Sequence, residues 1–281
     1  MVENAGCVGQ KTARNIRRIT IMSLQLCVLA SGSSGNCTYV GTDRTGILID
    51  AGLSGKETQR RLEQLGLGMA NIQAVCVSHE HGDHTAGLRV LNRRHGIPLF
   101  VNSATRDILC RAEGAGELSW NIFQSGSAFP VGDLVLEPFT VPHDAADPVG
   151  FIVKAGALRV GITTDIGMIT ERVVDALSGC HALVIEANHD EHLLENAERP
   201  WSLKRRIKGR LGHLSNEHAA EMVARVAGPH LQHVFLAHLS ADCNRGELAL
   251  QTAVRTLKTA GHHHVRVSLT FPDRISDVWR G

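Results

Sequence analysis

The 281-residue sequence has no C-x-x-C pair, no long apolar run and no excess of either charge. Each absence removes a class of protein. The seven cysteines (Cys7, Cys27, Cys37, Cys76, Cys110, Cys180 and Cys243) are odd in number and widely scattered. That pattern argues against a disulfide framework and for buried thiols in a reducing compartment, so a cytoplasmic location is expected. No apolar stretch approaches the roughly 20 residues that span a bilayer, and the first 22 residues lack the apolar centre of a secretory signal; no membrane partner is expected. With 29 Lys plus Arg against 28 Asp plus Glu, the net charge of +1 offers no global attraction to nucleic acid, so any basic footprint must be local. Fixed-period repeats, low-complexity tracts and Pro/Gly-rich linkers are also absent, and a single domain over residues 23–281 follows. Residues 1–22 carry Lys11, Arg14, Arg17 and Arg18 without clear periodicity. They read as a frayed extension or as upstream translation ahead of Met22, a basic targeting or nucleic-acid arm being the sharper alternative.

What is present is an alternation of short apolar runs with helical patterns, the signature of a layered α/β fold. Strands are predicted at 24–30, 46–52, 72–78, 97–101, 134–141, 150–155, 158–164, 182–187 and 233–238, with a terminal strand after the "GHHHV" stretch at 261–265. Helices are predicted at 56–66, 84–95, 170–178, 215–227 and 246–260, the fourth with Ser215 as N-cap and His218 at its third position. Each half of the chain opens with strand pairs and closes with strand–helix units.

The segment "HEHGDH" (79–84) sits between a predicted strand and a predicted helix, so its side chains converge in a loop instead of alternating between two faces. His79, His81, Asp83 and His84 supply nitrogen and carboxylate donors enough to start two adjacent metal sites. One loop cannot close two sites, and further donors are expected just beyond other strands. They occur in order: His143 in "VPHDA", Asp165 in "TTDIG" and His238 in "AHLS". All-N/O ligation suits Zn²⁺ and also admits Mn²⁺ or Fe²⁺.

This set resembles the five-motif signature of the metallo-β-lactamase superfamily. The resemblance implies a four-layer αββα sandwich with a dinuclear site at one edge. It further implies that His79, His81 and His143 hold one metal, Asp83, His84 and His238 the other, and that Asp165 bridges them. Two divalent ions about 3.5 to 4 Å apart lower the pKa of a shared water to near neutrality, which supplies a hydroxide nucleophile without Ser or Cys; Asp83 would help to orient it.

The branch of the superfamily is argued from particular residues. Asp165 stands where β-lactamases of this fold commonly use Cys, and His81 where the diiron oxygen reductases use Glu. "GHLSNEHAAEMVARVAGPHLQHVFLAHLS" (212–240) resembles the corresponding segment of ribonuclease Z and related phosphodiesterases, in which a histidine at the place of His213 protonates the leaving oxygen. The spans 143–165 and 165–238 are too short for the tRNA-gripping arm of ribonuclease Z or the inserted domain of the β-CASP nucleases. "LASGSSGNCTYV", "IDAGLSGKE", "VSHEHGDHTAGL", "EANHDEHLL", "GHLSN" and "AHLSADCN" together resemble the WalJ/YycJ-type branch. That resemblance implies a metal-dependent phosphodiesterase of the 5′-to-3′ exonuclease type, with DNA favoured over RNA.

"RPWSLKRRIKGR" (199–210) is the one concentrated basic segment and contains no acidic residue, so Lys204, Arg205 and Arg206 are candidate contacts to a phosphate backbone. Asn36 in the "SGSSGN" turn, Asn188 and Ser215 are further candidate substrate contacts. Two other chemistries share the same metal set. A cyclic phosphodiesterase acting on a ribose cyclic phosphate would need a closed pocket, and a thioester or lactone hydrolase would need neither His213 nor the basic segment. The sequence leaves oligomeric state open.

Overall fold

The computed structural model describes Met1 and residues 23–111 and 118–281. Apart from Met1, the expected N-terminal extension (1–22) lies outside the described residues. Strands β1 (Gln25–Ala30), β2 (Cys37–Gly41), β3 (Gly46–Ile49), β4 (Ile72–Cys76), β5 (Leu99–Asn102) and β6 (Trp120–Phe123) lie side by side in chain order. A second sheet holds β7 (Phe129–Val131), β8 (Leu134–Thr140), β9 (Val149–Ala155), β10 (Leu158–Thr163), β11 (Ala182–Glu186), β12 (His233–Ala237) and β13 (Arg266–Leu269), again in order. The last strand, β14 (Trp279–Arg280), returns to the first sheet beside β1. Both sheets begin with antiparallel pairs and finish with parallel ones. Parallel neighbours require crossovers, which is where the helices enter.

Strand alternation sorts side chains into three layers of core. In β1, Leu26 and Val28 face the second sheet, while Cys27 and Leu29 face outward. Phe235 of β12 joins the inter-sheet core, and Val234 and Leu236 join the outer one. Helices α1 (Gly55–Glu63) and α3 (Leu88–His95) cover the first sheet through Leu62, Leu88 and Leu91. Helices α5 (Glu171–Leu177), α8 (Asn216–Val226) and α9 (Gly246–Thr259) cover the second through Val173, Met222 and Ala253. Both faces of each sheet are therefore buried, giving the four-layer αββα sandwich as a single domain. Fully buried side chains such as Phe151 and Phe235 each contribute about 1.5–3 kcal/mol of hydrophobic stabilisation.

The differences from the sequence-based elements have local causes. The helix expected over 84–95 is two: α2 (Gly82–Thr85) and α3, separated at Gly87. A Cβ at Gly87 would strike Leu53 O, and Gly87 N donates to Ala51 O at 2.7 Å, so the chain is pinned there against the end of β3. The strands expected over 46–52 and 72–78 stop at Ile49 and Cys76, because Asp50 turns into the left-handed region (φ 62°) and the chain after Cys76 opens into the histidine loop. Helices α4 (Ser103–Leu109), α6 (Glu191–Asn196) and α7 (Trp201–Lys208), and strands β2, β6, β7 and β14, are additional to those expected. These are short, and β6 and β7 at the edges of their sheets show no clean alternation. Among the described residues no helix is long and apolar enough to cross a membrane, and the six described cysteines are free thiols.

Candidate metal centre and cleft

The donor-rich loop is held by backbone bonds that do not involve its side chains. Asn36 N donates to Asp83 O (2.7 Å) and Ala51 N to His84 O (2.8 Å). Gly52 permits this approach, since a Cβ there would overlap Asp83 O. His79 to His84 thus emerge at the carboxyl end of β4, where His143 after β8, Asp165 after β10 and His238 after β12 also arrive. Among the described residues, Asp50, Asp165 and His238 are the non-glycine residues with positive φ (62°, 53° and 54°). Such conformations cost on the order of 1–3 kcal/mol each and persist where the surroundings enforce them; here all three aim side chains into one site.

The seven predicted donors form overlapping groups. His79 Nε2 and His143 Nε2 lie 3.1 and 3.4 Å from His81 Nδ1. Asp83 Oδ2 lies 3.5 Å from His84 Nε2 and 3.4 Å from His238 Nε2. Asp165 reaches toward both groups, with Oδ2 2.9 Å from His84 Nε2 and Oδ1 3.8 Å from His143 Nε2. Tetrahedral coordination with Zn–N bonds of about 2.0–2.1 Å separates neighbouring ligand atoms by roughly 3.3 Å, so the donor spacing fits a cation. A second observation agrees: Asp165 Oδ2 and His238 Nε2 are buried without a hydrogen bond despite their close polar neighbours. Their contacts have the distance of hydrogen bonds but not the direction, as expected of donors that converge on a common point.

The nitrogen that each buried histidine turns away from this point is also held, an arrangement typical of metal-binding imidazoles. His79 Nδ1 meets Ser78 Oγ at 2.9 Å, His84 Nδ1 meets Asp50 Oδ2 at 2.7 Å, His143 Nδ1 meets Gly212 O at 3.1 Å and His238 Nδ1 meets Glu186 Oε1 at 2.8 Å. Burial drives the His79 and His143 rings below the ordinary histidine value. Burial opposes charge on His84 and His238 too, but the carboxylates around them outweigh it, and His238 is pushed up to about 10. A bound cation therefore competes with protons at these two rings.

Asp50 and Glu186 are the functional residues that the sequence reading missed. Asp50 accepts from Ser78 N (2.7 Å) and Ser78 Oγ (2.8 Å) besides holding His84. Glu186, fully buried at the end of β11, accepts from His213 Nδ1 and His238 Nδ1 through Oε1 (both 2.8 Å) and from Ile166 N and Leu214 N through Oε2 (3.0 and 3.1 Å). Four bonds use its acceptor sites, so it acts as an orienting hub although it falls among groups with metal-binding spacing. The available signal was an acidic residue at the end of an apolar run, in "GILID" and "ALVIE". Asp50→Asn is expected to weaken metal binding about 10–100-fold, the usual effect of losing such a partner, measured by competition with a chromophoric chelator.

His213 lines a cleft of about 330 Å³ with His81, Asp83, His143, Asp165, Arg206 and His238. A larger cavity of about 650 Å³ between β8 and α5 touches none of the predicted site residues. Of the predicted substrate contacts, Arg206 alone reaches the cleft, with Nε donating to Asp144 Oδ2 at 2.6 Å. Arg205 is exposed on α7. Lys204 Nζ instead donates to Glu195 O (2.7 Å). Asn36 is buried, with Oδ1 accepting from Gly32 N (2.9 Å) and Nδ2 donating to Asp83 Oδ2 (3.0 Å), so it braces the loop and not a ligand. Ser215 is 1% exposed and its hydroxyl caps α8 by accepting from His218 N, which removes it from the cleft. Asn188 donates to His238 O (2.9 Å) and lines a neighbouring cavity.

Residues 45–239 match the sequence pattern of the β-lactamase superfamily domain. The chain belongs to this superfamily and is a metal-dependent hydrolase. It is 39% identical over 241 residues to Exodeoxyribonuclease YycJ of Bacillus anthracis, covering 85% of this chain and 91% of that protein. Exodeoxyribonuclease WalJ of Streptococcus pneumoniae is 36% identical over 236 residues, 83% of this chain and 88% of the relative. Among solved structures, the metallo-β-lactamase fold protein YhfI of Bacillus subtilis superposes with a TM-score of 0.70 at 15% identity, covering 92% of this chain and all of YhfI, a likeness of fold.

Proposed function

We propose that this chain is a dinuclear metal-dependent nuclease of the 5′-to-3′ DNA exonuclease type. The reading rests most directly on His213, a half-buried acid candidate held by Glu186 at 2.8 Å on the wall of the donor-rich cleft. A thioester site, whose thiolate departs readily, has no need of such a proton donor, whereas a poor alkoxide leaving group does. The similarity to YycJ and WalJ over most of their length supports nucleic acid as substrate and DNA over RNA.

In this reading His79, His81 and His143 would hold one divalent cation and Asp83, His84 and His238 another, with Asp165 within reach of both groups, and Zn²⁺ or Mn²⁺ would suit the donors. When bound, such a pair activates water near neutral pH and stabilises charge at phosphorus. The chain supplies the remainder. Asp83 is fixed through Oδ2 by Asn36, which leaves Oδ1 to orient the attacking water. His213 Nδ1 is committed to Glu186, so Nε2 is the nitrogen left to protonate the leaving oxygen. Arg206, on the cleft wall, neutralises a phosphate oxygen.

The exposed face of α7 continues from Arg206 toward Arg205 and Trp201, the latter 67% exposed. A basic surface with an exposed aromatic suits a nucleic-acid strand, whose phosphates pair with guanidinium and whose bases stack. Arg205→Ala is expected to weaken binding of single-stranded DNA about uniformly across sequences and to reduce the slope of log K against log salt by about one phosphate contact. Anisotropy titrations at several salt concentrations measure this.

The test of the function is digestion of end-labelled single- and double-stranded DNA and RNA with each added divalent ion, beside the Asp165→Ala protein. Metal-dependent shortening of DNA from its 5′ end supports the reading. Turnover of a ribose cyclic phosphate with inert DNA would replace it by the small-molecule alternative.

A further inference from the structure

The cleft continues into a second cavity of about 300 Å³. Ser33, Arg206 and His213 line both, so His213 stands at the junction. The rest of the second cavity's wall includes Asn188, Arg199, Ser240 and Asp242.

An acid acts on the atom that departs, and the departing group must therefore lie on the acid's side of the scissile bond. In the 5′-to-3′ exonuclease reading, on which this inference rests, the departing group is the 5′-terminal nucleotide, leaving through O3′. We propose that the second cavity is the subsite for this single terminal nucleotide, with Arg199 and Arg206 gripping its 5′-phosphate. The size agrees, since about 300 Å³ is the lower limit for a small-molecule pocket and is of the order of one nucleotide.

The charge agrees as well. Arg199 Nη2 donates to Asp242 Oδ2 and Arg206 Nε to Asp144 Oδ2, both at 2.6 Å. Each guanidinium has five N–H donors, so each retains others for a phosphate. Asp242 is 69% exposed, which weakens its hold on Arg199 through solvent screening. Asn188 and Ser240 supply neutral polar groups for the sugar and base.

In each turnover a water oxygen bonds to phosphorus and the P–O3′ bond breaks. O3′ takes the proton of His213, and the proton lost by the water passes to solvent, from which His213 is recharged. The products are a nucleoside 5′-monophosphate and a chain that again ends in a 5′-phosphate, ready for the next cycle.

The experiment compares 3′-labelled DNA bearing a 5′-phosphate or a 5′-hydroxyl, with added Mn²⁺, in the full chain and in Arg199→Ala and Arg199→Lys. Bis(p-nitrophenyl) phosphate reports hydrolysis without a terminal nucleotide. The wild-type protein is expected to degrade the 5′-phosphorylated strand at least tenfold faster and to release mononucleotides. The ratio of the two rates should collapse toward one in Arg199→Ala and recover in part in Arg199→Lys. In chelator, a 3′-fluorescent strand should bind more tightly with the 5′-phosphate than without it. Equal degradation of both ends, or release of longer oligonucleotides, overturns the subsite and leaves the nuclease reading intact. Hydrolysis of bis(p-nitrophenyl) phosphate with every DNA end inert overturns the nuclease reading and the subsite together.

Discussion

Asp165→Ala is expected to lower phosphodiester hydrolysis on the order of 10³-fold, equivalent to about 4 kcal/mol of transition-state stabilisation. The magnitude follows from the position of the residue between the two donor groups, 2.9 Å from His84 and 3.8 Å from His143 through different oxygens. Its loss removes a donor from both groups and takes one carboxylate away from the His84 and His238 rings, which keep Asp50 and Glu186 on their other nitrogens. Both the rate and the metal content should therefore fall. Steady-state kinetics with metal analysis of the same preparation check this, and a thermal unfolding scan shows whether the variant still folds. A variant with normal metal content and a nearly normal rate would remove Asp165 from the centre.

His213→Ala carries the second large effect, and its size should depend on the leaving group. Loss of a general acid is expected to cost about 10²–10⁴-fold with DNA, whose sugar alkoxide leaves poorly, and far less with a p-nitrophenyl ester, whose phenolate needs no proton. The pH profile gives an independent check. Burial opposes protonation of His213, but Glu186 outweighs it and holds the ring above its ordinary value. The acid form therefore persists to higher pH than in an ordinary histidine, and the rate falls as pH rises through this raised value. Glu186→Gln removes the anion that raises it, so the descending limb should move to lower pH. An unchanged limb would assign it to another group.

Much of the architecture was legible because long apolar strands and the larger helices carry clear periodicity. The candidate donors were legible for a related reason. A strand that ends at its carboxyl edge delivers the next residues to the same side of the sandwich, so His143, Asp165 and His238 could be read from the strand ends alone. The residues that hold those donors were harder to see. Asp50 and Glu186 finish ordinary apolar runs, and their contacts to His84 and His213 span 34 and 27 positions of sequence. Ser215 shows the opposite error: its place beside His213 in sequence suggests the cleft, but the helix start uses its hydroxyl. The basic segment was legible as charge and not as pairing. Arg199, Arg206 and Lys208 find Asp242, Asp144 and Glu195 across the fold, which leaves Arg205 and Trp201 as the more exposed parts of that surface.

The most direct measurement is a crystal structure of the chain grown with Mn²⁺ or Zn²⁺, using anomalous scattering to locate the ions. The account predicts two peaks, one among His79, His81 and His143 and one among Asp83, His84 and His238, with Asp165 in contact with both. A fully loaded crystal with no ion in that cleft, or with ions held only by residues outside this set, would contradict it.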